Sequence, residues 1–189
     1  MTLPISLESG YRASNDLLTS EFGRCMGAGG VSGALILLTG PMGIGKTEWA
    51  KGVAQGLGIR GRVASPTFLY LQLYDSPAPG SSPGLLHADW DRVNLGSEDL
   101  EESLLEGKEC RITLVEWGEK LPPSVTRSFG IRIHVSLSWD GEGRHIGTVW
   151  RASPDFEAQL LTWKTVFDAC IRRLGVEPDK DRQGSVSVP

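Results

Sequence analysis

An apolar run at Ala34–Thr39, ALILLT, passes without a break into the glycine-rich octet GPMGIGKT at residues 40–47. A segment apolar on both faces is what a strand needs when it lies inside a parallel sheet with helices on either side. After the glycines the apolar residues Trp49, Val53 and Leu57 recur at helical spacing. Strand, glycine loop and helix in immediate succession point to an α/β architecture. Within it Gly40, Gly45, Lys46 and Thr47 satisfy G-x-x-x-x-G-K-[ST], the phosphate-binding loop. Small residues there let backbone N–H groups converge on phosphate oxygens, Lys46 reaches the β and γ positions, and the Thr47 hydroxyl suits Mg2+. A plain glycine turn, the competing reading, has no need of the strand before it or the helix after it.

The rest of the chain supplies elements for such a fold. Asn15–Met26 carries Leu17, Leu18, Phe22, Cys25 and Met26 on roughly one helical face and stops near Gly27 at the breaker run GAGGVSG. FLYLQLYD at 68–75 and LLHAD at 85–89 predict a hairpin around the exposed connection SPAPGSSPG. SEDLEESLLEG predicts a short acidic helix opening at Ser97, and RITLVE a strand ending at Glu116. Phe129–Leu137 and His145–Arg151, joined by WDGEG, predict an antiparallel edge. In the last helix Ser153 is expected to cap and Pro154 to take the first position, with Phe156, Leu160, Trp163, Phe167, Cys170 and Leu174 as a core stripe. The expected division is a nucleotide-binding domain over residues 1–151, the helix of 152–175 packed on it, and a polar, disordered tail at 176–189.

A phosphate loop needs an acid near its metal, and a strand-end acid is the usual solution. Glu116 ends ITLV and Asp89 ends LLHA, so either can hold a metal-bound water. Thr67, in SPTF, has a hydroxyl placed after Pro66 where it can sense a γ-phosphate. His87 and Asp89 form an H-x-D pair, but no His/Cys cluster accompanies them, so a structural or switch role for His87 is preferred over zinc.

Composition narrows the partners. Against 23 acidic side chains stand 19 basic ones, a formal charge of −4, which is too little positive charge for an independent grip on RNA. No stretch approaches a membrane span and the start lacks a leader pattern, so a cytoplasmic protein is expected. The three cysteines, Cys25, Cys110 and Cys170, are odd in number and far apart, and are expected to be reduced, with Cys25 and Cys170 on helix faces.

Taken together, GPMGIGKT, SPTF, HADWDR and VEW, in this order and spacing over Thr19 to Arg144, resemble the TsaE family, the small ATPases of bacterial tRNA threonylcarbamoyladenosine synthesis. The resemblance implies a three-layer P-loop NTPase-like fold with a central mixed sheet. It places ATP phosphates on Gly43, Ile44, Gly45, Lys46 and Thr47, with Glu48 beside them. It implies Mg2+ near Thr47 and Glu116, a nucleotide-responsive switch at Thr67, and a catalytic or water-positioning role for Asp89 alongside Lys46 and Glu116. Trp117 matches the family's tryptophan beside the metal acid, and Thr19 and Arg144 match further nucleotide contacts. The implied partners are TsaD and TsaB, with tRNA reached through them. Trp90 and Asp91 depart from the family's usual Leu-Tyr, and the final helix exceeds the family core. Two other functions share the phosphate loop: a small-molecule kinase, and a nucleotide-sensing scaffold without useful turnover.

Overall fold

In the computed structural model, which describes residues 5–61, 63–66, 69–78, 82–93, 97–141 and 143–179, ALILLT forms β2 (Ala34–Thr39), the middle of a seven-stranded sheet. Its two neighbours are both parallel to it: β5 (Arg111–Glu116) on one side and β6 (Ile131–Asp140) on the other. Burial on both faces accounts for the apolar run. Beyond β5 lies β4 (Gly84–Asp89), parallel, and beyond that β3 (Leu71–Tyr74), antiparallel. Beyond β6 lie β7 (Gly143–Ala152) and β1 (Ile5–Ala13), each antiparallel to its neighbour. The mixed sheet therefore has an antiparallel margin on each side, one of them the expected hairpin of residues 129–151.

One face is covered by α1 (Asp16–Ala28), α2 (Lys46–Gly56) and α5 (Glu157–Arg173) over a core that includes Ile36, Leu38, Leu114 and Ile133. On the other face α3 (Glu98–Leu105) and α4 (Pro123–Arg127) cover Leu35, Leu37, Leu86 and Val115. This is the expected three-layer α/β arrangement. The stripe of α5 is core from Leu160 onward: Leu160, Trp163 and Phe167 are fully buried, Cys170 and Leu174 are partly buried, and Trp163 Nε1 donates to the Met26 carbonyl at 2.7 Å. Phe156, expected in the same stripe, precedes the α-helix and is exposed. Asn15 opens α1 by accepting the Leu18 N–H at 2.8 Å on its side-chain oxygen.

Several expectations need correcting. Cys25 and Cys170 are not reduced but joined as a disulfide between α1 and α5, 145 residues apart in sequence; Cys110 is free and exposed. Both lie on helix faces, as expected, and only the packing of those helices brings them together. Ser153 does not cap α5: residues 154–156 form a single 3-10 turn, the α-helix starts at Glu157, and the Ser153 carbonyl accepts the Phe156 N–H. The strand expected over 68–75 is shorter, because Leu69 and Tyr70 turn back to donate to the Pro66 carbonyl. At the N-terminus β1 was not anticipated. Of the tail, residues 180–189 lie outside the described residues, while Val176 packs against the core and the Asp179 N–H donates to Gly10 O at 2.8 Å. Among the described residues no helix is long and apolar enough to cross a membrane.

The first and second helices touch backbone to backbone. A Cβ on Gly52 would sit 2.0 Å from the Ser20 carbonyl oxygen, and one on Gly23 2.2 Å from that of Trp49. In an isolated helix Gly→Ala stabilises by roughly 0.5–1 kcal/mol. Here Gly52→Ala is expected to destabilise by about 1–3 kcal/mol, because backbone cannot yield as a flexible side chain can. A lower urea midpoint at unchanged slope is the measurement.

On the opposite face, burial and then the charges of Arg151 and Arg132 push the His134 imidazole down to about 4. The unfolded chain binds a proton near 6.5 that the folded chain refuses. Stability is therefore full above that value and falls as the pH drops towards 4. Urea midpoints for wild type at about pH 7 and about pH 5 should differ by more than those of His134→Gln.

Candidate functional site

The carboxyl ends of β2, β4 and β5 point to one side, where ligands of open α/β sheets bind. There a cavity of about 400 Å3 is lined by the loop residues Met42, Gly43 and Gly45, by Lys46, Thr47 and Glu48 at the start of α2, and by Ser65, Asp89, Glu116 and Trp117. Gly43 and Gly45 hold φ of 75° and 109°, the left-handed region that a side chain resists. No side chain caps α2, so its first-turn amides are left for whatever enters the cavity.

Parallel pairing sets the two acids side by side, since Asp89 and Glu116 are register partners on β4 and β5. Glu116 is bonded from two sides. The Thr47 hydroxyl lies 3.0 Å from Oε1 and 3.1 Å from Oε2, and His87 Nε2 lies 2.9 Å from Oε1. His87 is fully buried and its Nδ1 has no partner. A proton on Nε2 makes it the donor to Glu116 and leaves at Nδ1 an unpaired acceptor, cheaper than a buried N–H without one. Asp89 accepts from Ser65 Oγ at 3.2 Å and from the Asp91 N–H at 3.0 Å.

Lys46 folds back on its own loop. Its ammonium donates to the carbonyls of Gly40 at 2.7 Å and Pro41 at 3.0 Å, and stands 3.9 Å from the Trp117 ring centre. Burial holds it below the usual lysine range, while Glu116, Glu119, Asp89 and Asp91 pull the other way. Trp117 sits in the left-handed region at φ 59°, directly after the β5 acid, and this turn aims its ring across the cavity.

Other expected residues lie elsewhere. Thr19 is fully buried in α1 and donates to the Asn15 carbonyl at 3.0 Å, with its methyl beneath Gly45. Arg144 on β7 donates from Nε to the Ile44 carbonyl at 2.5 Å and pairs with Asp16. Thr19, Ile44 and Arg144 thus support the loop from behind and are not among the residues lining the cavity. Glu48 lines it, paired with Lys51 at 2.6 Å. Thr67 lies outside the described residues. Ser65, Asp91, Arg92 and Asp16 also line the cavity and were not anticipated as site residues. The signal for Ser65 was its place in SPTF, while Asp16 gave none.

Residues 13–146 match the family model described as Threonylcarbamoyl adenosine biosynthesis protein TsaE. The chain belongs to the TsaE family. A protein named tRNA threonylcarbamoyladenosine biosynthesis protein TsaE in Streptomyces coelicolor is 38% identical over 89 residues, 47% of this chain and 59% of that one. Its namesake in Bacillus subtilis is 36% identical over 117 residues, 59% of this chain and 70% of that one. The match to the Streptomyces relative thus spans less than two thirds of that protein's length. The crystal structure of YdiB from Bacillus subtilis superposes with a TM-score of 0.57 at 22% identity, over 92% of this chain and 99% of the other, a likeness of fold. The family match stops at residue 146, before α5 begins, while the YdiB superposition covers 92% of this chain.

The dependence of Glu116 on His87 can be measured. His87→Leu removes one of the two donors from a buried carboxylate and is expected to destabilise by about 2 kcal/mol. His87→Gln, which keeps an N–H donor, should lose less in the same urea titration.

Proposed function

We propose that this chain binds ATP with Mg2+ in the cavity around Lys46 and hydrolyses it, serving tRNA threonylcarbamoyladenosine formation in association with TsaD and TsaB. The observation that carries this reading is the convergence of the uncapped loop, Lys46, Thr47, Asp89 and Glu116 on one cavity of about 400 Å3. The donor set fits the metal. Mg2+ takes hard oxygen ligands, commonly one or two carboxylates completed by water and substrate phosphate. Thr47 Oγ1 and the Glu116 carboxylate, in contact with each other, are such a pair. When bound, the ion would supply positive charge against the phosphate oxygens.

Each protein group then has a task. The loop amides of residues 43–47 hold phosphate through N–H donation. Lys46 leaves the Gly40 and Pro41 carbonyls to place its charge on the phosphates. His87 fixes the rotamer of Glu116 from behind. Asp89, held by Ser65 and the Asp91 amide, orients a water and accepts its proton on a carboxylate oxygen. With a net charge of −4, contact with tRNA runs through the partner proteins. The relatives' names support the pathway, and the cavity supports the nucleotide chemistry.

ATP turnover measured with and without TsaD and TsaB tests this. Lys46→Ala and Glu116→Ala should each lower turnover by roughly a hundredfold or more, and ATP should change the amount of chain retained on immobilised TsaD and TsaB. Equal rates in wild type and both variants would leave binding as the only function. Stoichiometric phosphorylation of a small metabolite, indifferent to the partners, would make the chain a kinase.

A further inference from the structure

On the sheet face away from α5, a second cavity of about 810 Å3 opens between β6, β7 and the segment leading into α4. Arg132 and His134 on β6 and Arg151 on β7 line it from the sheet, and Arg127 from α4. Arg132 and Arg151 are direct cross-strand partners, a placement in which like charges destabilise a sheet. Among the described residues none of the three arginines is in an ion pair. Arg132 Nε is buried with no hydrogen-bond partner at all. Burial, then Arg151 and Arg127, lowers the pKa of Arg132, so the cluster is held against its own repulsion. Among the described residues the one acid lining the cavity, Glu119, also acts on Lys46, and the neighbouring Lys120 is neutralised by Asp91 at 2.6 Å. Arg132 and Arg151, half-buried and without an ion pair in a chain of net charge −4, lack the counter-charge that buried cations ordinarily have, and the exposed Arg127 adds a third positive charge to the cavity lining.

We propose that this cavity binds the phosphate group of an organic phosphate, with the guanidinium forks of Arg132 and Arg151 on the phosphate oxygens and Arg127 closing over it. A phosphomonoester, at about two negative charges, offsets three cations better than a carboxylate does, and it accepts bidentate bonds from both forks. His134, which also lines the cavity, supplies a ring N–H as a further donor. Inorganic phosphate alone would leave most of the space empty. Leu37, Val93, Leu121 and Pro122 supply apolar walls for an uncharged body attached to the phosphate. This site is separate from the phosphate loop: the segment Gly118–Lys120 stands between them, with Trp117 turned to Lys46 and Gly118 packed against Leu37.

Calorimetric titration of the full chain with phenyl phosphate tests the assignment, with benzoate as the carboxylate control. Saturable binding of phenyl phosphate is expected, tighter than benzoate, weakened roughly tenfold or more in Arg132→Gln and Arg151→Gln, and unchanged in Lys46→Ala. Arg151→Lys keeps the charge but loses the fork, so an intermediate loss is expected. The arginine-to-glutamine changes relieve repulsion, and their melting temperatures should not fall below wild type. Phenyl phosphate should raise the melting temperature of wild type and not of Arg132→Gln. Competition by a short single-stranded RNA would assign the phosphate to nucleic acid, and its failure to compete to a free ester. Absence of saturable binding, binding indifferent to both arginines, or binding lost in Lys46→Ala would each overturn the proposal. Loss in Lys46→Ala alone would place the phosphate in the loop and leave the proposed ATP site standing.

Discussion

The carboxylate of Glu116 is where the two halves of the site are tied together. Thr47 reaches it from the helix that follows the phosphate loop, and His87 reaches it from the neighbouring strand. Both bonds depend on parallel pairing: β5 lies between β2 and β4, so its last residue falls beside the start of α2 and two residues beyond the level of His87. A slip of one residue in β5 would turn Glu116 to the other face of the sheet and leave His87 buried with neither nitrogen satisfied. The register of the core strands and the integrity of the site are one requirement.

A second set of contacts holds the loop from outside the parallel core. Arg144 comes from the antiparallel margin, ties the Ile44 carbonyl and pairs with Asp16 on α1. Thr19 packs its methyl under Gly45, and the glycines of α1 and α2 let those helices approach until backbone meets backbone. Loop conformation therefore depends on β7 and α1 as well as on the residues of GPMGIGKT. Helix α5 belongs to the same scheme, since Trp163 packs edge-on against Trp150 of β7 and bonds Met26 of α1.

Much of this was legible in the sequence, for physical reasons that differ by element. The strand–loop–helix unit was readable because ALILLT is buried on both faces and the loop chemistry tolerates little variation. Glu116 and Asp89 could be named because strand-end acids after apolar runs are local features. What could not be read was tertiary. The alternation of Ile5, Leu7, Tyr11 and Ala13 in β1 is broken by Ser9 and Gly10, so its period is obscured. The Cys25–Cys170 bridge depends on how two helices pack, and no spacing encodes that. Thr19 and Arg144 could be matched to positions near the loop, but their place behind it follows from the sheet order. Likewise Arg132 and Arg151 become neighbours only through the antiparallel register of β6 and β7.

The folded-back posture of Lys46 has a consequence for how the site responds to occupancy. Its ammonium already has two carbonyls and the face of an indole. An anion entering the loop must draw the charge away from all three, so the lysine is contested from within. The contest reports outward, because once the cation leaves, the Trp117 ring loses its partner on one side while Lys120 remains 4.8 Å from its centre. The indole thus passes from being shared by two cations to being held by one, and that one is tied to Asp91 beside the β4 acid. Occupancy of the proposed nucleotide site would thereby alter the electrostatic balance around Trp117 and Asp91.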